Sequence, residues 1–197
     1  MPGYDECLVE AELRARAAYA EPHRHYHDER HLDECLADLD GVPGLSERDR
    51  RLLRWAILWH EVIHEPGRPD NEDRSAKIAE AELARCGAPA EETAEVARLI
   101  RLTKGHRVDA GDRLGALMAS IDLAVLGAGP DRYRLYAESV RREYLHLSDG
   151  EWRQGRALVL MNLLANDPLY PDPGFRERLE SRARRNMGAE IRALREG

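Results

Sequence analysis

The chain has 197 residues, which is enough for one domain with a sizeable core. Hydrophobic residues make up 43%, charged residues make up 34%, and the net charge is −7, which excludes collagen-like and low-complexity proteins and argues against global disorder. Because the chain is acidic overall and has no sustained basic block, we expect no nucleic-acid partner.

The cysteines and the N-terminal residues bear on the compartment. Cys7, Cys35 and Cys86 lie far apart without a CxxC pair, a pattern that predicts neither a disulfide framework nor a cysteine-rich zinc site. The first residues are acidic, and the longest apolar run, Trp55 to Trp59, is far shorter than the roughly 20 residues of a membrane span. We therefore expect a cytoplasmic protein without membrane association.

The composition predicts helix along almost the whole chain. Ala, Leu, Arg and Glu dominate, aromatic residues are only 6%, and no segment alternates in the manner of a strand. Breakers and capping residues predict helices near residues 5–20, 26–39, 46–64, 71–86, 89–104, 112–126, 131–147, 148–165 and 175–194. The expected fold is an all-α bundle of about nine helices, in a single domain over residues 1–197.

Four of these helices carry the clearest signals. Ser46 and Asp49 resemble a capping box at the start of the third helix, which is apolar on most sides and is predicted to be the buried centre. Pro89 fits the first turn of the fifth helix, and Ser148 fits the cap of the eighth. The last helix has an apolar stripe at helical spacing, formed by Phe175, Leu179, Ala183, Met187, Ile191 and Leu194.

Histidines concentrate in the first third of the chain and suggest a metal site. Six of the eight form two groups: His23, His25, His27 and His31, and then His60 and His64. Within helices, His27 with His31 and His60 with His64 would each share a face. Asp122 is a lone carboxylate in an apolar helix, where it is costly unless it binds a cation or pairs with a buried arginine. A shared metal explains these residues most economically.

Residues 60–64 also match H-E-x-x-H, the motif in which two histidines one helical turn apart bind zinc and the glutamate acts as general base of a peptidase. The match is short. No metzincin extension follows His64, and no strand is predicted that could align a peptide. The zinc peptidase is therefore the less favoured alternative.

A wider set of segments resembles the HD superfamily of metal-dependent phosphohydrolases. The segments are RHYHDERHL at 24–32, LWHEVI at 58–63, DNEDRSA at 70–76, LIRLTKGH at 99–106, IDLAVLG at 121–127 and GRALVL at 155–160. The resemblance implies an HD-like helical bundle whose metal ligands are His31, His60 and Asp122. Glu61 stands where the family has aspartate. Because glutamate is one methylene longer, Glu61 could ligate from a shifted position or leave the site weak or metal-free.

The resemblance also implies roles for further residues. His27 resembles the histidine that protonates the leaving oxygen in cyclic-nucleotide phosphodiesterases, a role suited to imidazole. Candidates for a second metal or for substrate binding are His64, His106, Arg24, Lys104 and Glu72.

The function implied is hydrolysis of a small phosphorylated metabolite or nucleotide by metal-activated water, with Glu61 and His27 as catalytic groups. The cofactor would be a divalent Mn, Mg, Co, Zn or Fe ion. Two alternatives stay open: a di-iron oxygenase on the same scaffold, and a metal-poor binding protein in which Glu61 has ended metal chemistry. The sequence predicts no oligomeric state.

Overall fold

A computed structural model describes residues 3–196, and within that range the fold is all-α, as predicted, with no strand. The α-helices are α1 Tyr4–Tyr19, α2 Glu29–Asp40, α3 Glu47–Trp59, α4 Asn71–Arg85, α5 Ala90–Leu102, α6 Arg113–Asp122, α7 Pro130–Glu143, α8 Asp149–Leu164 and α9 Pro173–Glu196. A 3-10 helix, Leu123–Gly127, directly follows α6. One cluster of buried apolar side chains includes residues of every helix.

Helix α3 is the buried centre of the bundle, which confirms the interpretation of its apolar sequence. It packs against α1, α2, α4, α5 and α6, and every residue from Trp55 to Trp59 is buried. Ser46 caps it by accepting a hydrogen bond from the Asp49 amide at 3.0 Å. Because α3 is central, the residues that follow its C-terminus lie in the middle of the protein.

Two predicted helix boundaries next to the histidines are wrong. In the structure, the histidines expected at these helix ends lie outside the helices. Helix α2 begins at Glu29 rather than near Tyr26, because the Asp28 side chain caps it by accepting from the amides of Arg30 and His31. Helix α3 ends at Trp59 rather than near His64. The two expected face-sharing histidine pairs are thus not helical pairs.

Tertiary hydrogen bonds explain why α3 stops where it does. Arg24 donates to the carbonyls of Glu61 and Val62 at 2.6 and 3.0 Å, and the amide of Glu61 donates to the Tyr19 hydroxyl. Ser75 accepts from the amide of Ile63. Because these groups occupy the backbone donors and acceptors that further turns would use, the chain leaves the helix at His60.

Four other boundaries differ from the prediction. Pro89 lies at the N-cap of α5 rather than in its first turn. The helix predicted over 112–126 divides at Asp122 into α6 and the 3-10 helix. Helices α5 and α7 end at Leu102 and Glu143, two and four residues early.

The C-terminal helices confirm their sequence signals. Ser148 and Glu151 form a reciprocal capping box at the start of α8. In α9 the predicted stripe faces the core: Phe175, Ala183, Met187 and Ile191 are buried. Helix α9 packs against α8 and the 3-10 helix.

The cysteines correct the expectation of unpaired thiols. Cys7 in α1 and Cys86 at the C-cap of α4 form a disulfide, and Cys35 is a buried free thiol. The two bonded residues are 79 positions apart, so no local spacing could have indicated the bond.

Within residues 3–196, no single helix has both the length and the hydrophobicity to cross a membrane. The segments Arg113–Gly127 and Pro130–Glu143 meet that requirement only as a pair, by length and composition, and they are bent by 103°.

Candidate metal centre and its cleft

Four predicted ligands meet at one point between α2, α3 and α6. The Nε2 atoms of His31 and His60 lie 3.3 Å apart. Asp122 Oδ1 lies 3.3 and 3.4 Å from these two nitrogens, and Glu61 Oε2 lies 3.4 and 3.5 Å from them. Both histidines are buried, and the four donor atoms all lie within 4.8 Å of one another.

These distances fit a cation at the centre of the cluster. The centre of a regular tetrahedron with edges of this length lies about 2.1 Å from each corner, which is the usual bond length from zinc to nitrogen or oxygen. Glu61 Oε2 is buried and has no hydrogen-bond partner within the described residues, as expected of an atom placed to bind an ion. Glu61 therefore reaches the cluster despite its extra methylene. Its position just beyond the end of α3 makes this reach possible.

The outer nitrogens of the two histidines are held so that the inner nitrogens face the cluster. His60 Nδ1 donates to the Ile57 carbonyl at 2.8 Å, and His31 Nδ1 lies 3.1 Å from the Tyr26 hydroxyl. The Ile57 carbonyl can only accept, so it keeps the proton of neutral His60 at Nδ1 and leaves Nε2 for a metal, and the Tyr26 hydroxyl can accept the Nδ1 proton of His31 in the same way.

His106 holds the fourth ligand from behind. Its Nε2 lies 2.8 Å from Asp122 Oδ2, which leaves Oδ1 for the cluster. Burial would raise the pKa of Asp122, but hydrogen bonds from His106 and the two cluster histidines hold it well below its usual value. His106 also has φ of 52°, a left-handed conformation that is uncommon for residues other than glycine. Its role is therefore to orient Asp122.

His27 stands beside the cluster and is oriented by a carboxylate. Its Nδ1 lies 2.5 Å from Glu143 Oε2, and its Nε2 lies 3.6 Å from Glu61 Oε1. Burial opposes protonation, but Glu61 and Glu143 raise the pKa of His27 above its usual value. His27 can thus carry a proton at Nε2 next to the cluster.

His64 stacks on His27 with ring centroids 3.9 Å apart. Burial and the neighbouring His27 lower the pKa of His64 below its usual value. His64 Nε2 is buried and has no hydrogen-bond partner among residues 3–196, although Glu143 Oε2 lies 3.3 Å away. His27, Glu61 and His64 form a second group of atoms within 4.8 Å of one another, which shares Glu61 with the first.

A cleft of about 500 Å³ opens onto both groups. The cleft is lined by His27, His60, Glu61, His64 and Asp122, together with His106 and Glu72. Its volume is in the range of small-molecule sites.

Two predicted substrate cations lie elsewhere. Lys104 is exposed and does not line the cleft. Arg24 is buried, and its donors go to the Glu21 side chain and to carbonyls of His27, Glu61 and Val62. Arg24 thus holds the two histidine segments together.

Sequence reasoning missed Glu143 and Arg156. Glu143 Oε1 accepts from the amides of His25, Tyr26 and His27 at 2.7, 2.7 and 3.0 Å. Its sequence signal is slight, one acid near the end of α7. Arg156 lines the cleft from α8 inside the GRALVL segment, where a charged residue amid apolar neighbours could have been singled out.

The H-E-x-x-H motif does not have the geometry of a zinc peptidase. His60 caps α3 and residues 61–64 are not helical, so the two histidines do not share a helix face. His60 belongs to the first group and His64 to the second.

Comparison of the chain with models of protein families, with curated proteins and with solved structures finds no match.

Proposed function

We propose that the protein is a metal-dependent phosphohydrolase of the HD type that acts on a small phosphorylated metabolite or nucleotide. The observation that carries the proposal is the convergence of His31, His60, Glu61 and Asp122 with donor atoms spaced for one cation, where His60, Glu61 and Asp122 line a cleft. Imidazole and carboxylate ligands suit divalent Zn, Mn, Fe or Co, and carboxylates suit Mg. The proposal also keeps the cytoplasm as the compartment.

A bound divalent cation would supply a Lewis acid for a phosphoryl oxygen and lower the pKa of water for attack on phosphorus. His27 would donate the proton at Nε2 to the leaving oxygen, because its other nitrogen is held by Glu143. Glu143 would keep His27 in that tautomer and favour its protonated form. The apolar walls of the cleft would exclude water from the reacting groups.

The second group of ligand atoms favours one further candidate. Because Glu61 belongs to both groups, it could bridge two ions, as a di-iron oxygenase or a two-metal hydrolase would require. Metal analysis separates these functions: two irons favour the oxygenase, and one or two Mn, Mg, Co or Zn ions favour hydrolysis. Protein that retains no metal after supplementation would favour the metal-poor binding protein.

The test measures bound metal and hydrolysis of p-nitrophenyl phosphate. We expect His31→Ala and Asp122→Ala to lose both, since each removes a corner of the cluster. His146→Ala is the control, because His146 is exposed and belongs to neither group. Equal metal content in all variants would refute the site. Loss of metal in His64→Ala, with His31→Ala still loaded, would instead favour the peptidase.

A further inference from the structure

The cleft extends past the metal-ligand cluster to a part that the proposed chemistry does not use. Its wall there is apolar and aromatic and comes from α7, α8 and the turn between them. The residues are Tyr136, Val140, Tyr144, Leu147, Trp152 and Val159. We name this part the distal cleft. Aromatic walls of this kind suit a flat ring.

Arg156 supplies the charged side chain of the distal cleft. It is 6% exposed, and its Nε and Nη2 donate to Glu190 at 2.8 and 3.4 Å. The Tyr133 hydroxyl also donates to Glu190, so the carboxylate is fixed between two helices. Within the part of the chain described, these bonds occupy Nε and Nη2, so Nη1 is the nitrogen left to donate to a ligand or to the neighbouring Tyr136 hydroxyl. The guanidinium lies 5.0 Å from the ring centroid of Tyr136.

Gly155 gives independent evidence for a ligand beside Arg156. It lies in the middle of α8 and lines the cleft, although glycine is among the weakest helix formers. A Cβ at this position would meet no atom within 4 Å, so packing of the described residues does not require glycine. The missing side chain leaves open space at the distal cleft, which a ligand could fill.

The charges along the cleft limit the number of phosphate groups on that ligand. Glu61, Glu72 and Asp122 line it, and its arginines, Arg68 and Arg156, are paired with Asp70 and Glu190 respectively. Among the residues described, the lining thus has no cluster of unpaired arginines or lysines that could bind a chain of phosphates. A single phosphoryl group at the metal-ligand cluster is the better match.

We propose that the distal cleft binds the aromatic body of a phosphomonoester such as a nucleoside monophosphate. The ring lies against Tyr144 and Trp152, and an acceptor atom of the ring accepts from Arg156 Nη1. This inference rests on the proposed function, because the metal-ligand cluster holds the phosphoryl group. It narrows the substrate to one phosphate on a flat, hydrogen-bonding ring.

The test compares three substrates with the intact, metal-loaded protein: uridine monophosphate, uridine triphosphate and ribose 5-phosphate. We expect the KM of uridine monophosphate to be at least about tenfold below that of ribose 5-phosphate, with no gain from the triphosphate. Gly155→Leu should raise the KM of uridine monophosphate about tenfold or more and leave ribose 5-phosphate and the metal content unchanged. Arg156→Lys, which keeps the charge facing Glu190, should show the same selective loss.

Gly150→Leu is the matched control, since Gly150 lies in the same helix, has equally open surroundings and does not line the cleft. It should change neither KM. Equal KM values for the monophosphate and ribose 5-phosphate, a preference for the triphosphate, or an equal loss on both substrates in Gly155→Leu would overturn the inference.

If the wild-type protein hydrolyses none of the three, the proposed function fails and calorimetric titration with uridine monophosphate decides the binding inference. Binding that Gly155→Leu abolishes and Gly150→Leu preserves would support the distal cleft as an aromatic site. Absence of binding to the wild-type protein would overturn it.

Discussion

Replacement of Glu143 by glutamine tests how much one buried carboxylate contributes to the shape of the site. Its side chain is fully buried and accepts four hydrogen bonds, three from the amides of residues 25–27 and one from His27 Nδ1. Glutamine keeps the shape and removes the charge. One of its oxygens becomes an NH₂ group, which faces His27 Nδ1 or the backbone amides as a donor.

The magnitude follows from the kind of hydrogen bond that is lost. A hydrogen bond to a charged group contributes about 1.5–3 kcal/mol and one between neutral groups about 0.5–1.5 kcal/mol, so each of the four bonds weakens by roughly 1 kcal/mol. Part of this loss is offset because a neutral amide is cheaper to bury than a carboxylate. We expect Glu143→Gln to lower the free energy of unfolding by about 3 kcal/mol.

The pH dependence has a defined window. Burial opposes ionisation of Glu143, but the hydrogen bond from His27 and the neighbouring His64 imidazole hold its pKa well below the ordinary 4.5, so its contribution is present above about pH 4.5 and is lost as the pH falls further. The pKa of His27 is raised above 6.5 in the folded state, so its contribution is present below about pH 6.5 and is lost as the pH rises through the folded pKa. The difference between wild type and Glu143→Gln should therefore be largest between these values.

Urea unfolding of both proteins, followed by circular dichroism from pH 3 to pH 9, measures this difference. Glu138→Gln is the control on the same helix, because the Glu138 side chain is 57% exposed and pairs, among the described residues, with Arg134 alone. It should change the free energy of unfolding by less than about 0.5 kcal/mol. A loss below about 1 kcal/mol for Glu143→Gln, or a difference that does not vary with pH, would refute the reasoning.

Three further predictions concern the ligands and the disulfide. Although the resemblance favours aspartate at position 61, Glu61→Asp should weaken metal binding at least about tenfold by equilibrium dialysis, because the shorter side chain withdraws the carboxylate from the cluster; tighter binding would contradict this. His106→Gly, which tolerates the left-handed backbone, should weaken metal binding about 10- to 100-fold by releasing Asp122, and unchanged affinity would count against the orienting role. Thiol titration of denatured, unreduced protein should find one free thiol, and reduction of Cys7–Cys86 should cost up to about 4.5 kcal/mol for a 79-residue separation; three free thiols would show that the bond is not formed and would support the reducing compartment.

The sequence by itself determined the fold class, the central helix and the identity of the cluster. Helical composition, the cap at Ser46 and the apolar stripe of α9 act over one or two turns, so they can be recognised from neighbouring residues. Asp122 could be singled out because a lone carboxylate in an apolar helix is costly without a partner, and the resemblance to the HD superfamily implied His31 and His60 as its fellow ligands. The cap at Asp28 was equally local and marked the true start of α2.

Only the tertiary structure decided where α3 ends and whether Glu61 reaches the cluster. Arg24 and Tyr19 take the backbone groups of Glu61, and this contact spans 37 and 42 positions along the chain. Glu143 meets the backbone of His25 across 118 positions. Such bonds depend on how whole helices pack, and no pattern among neighbouring residues encodes them.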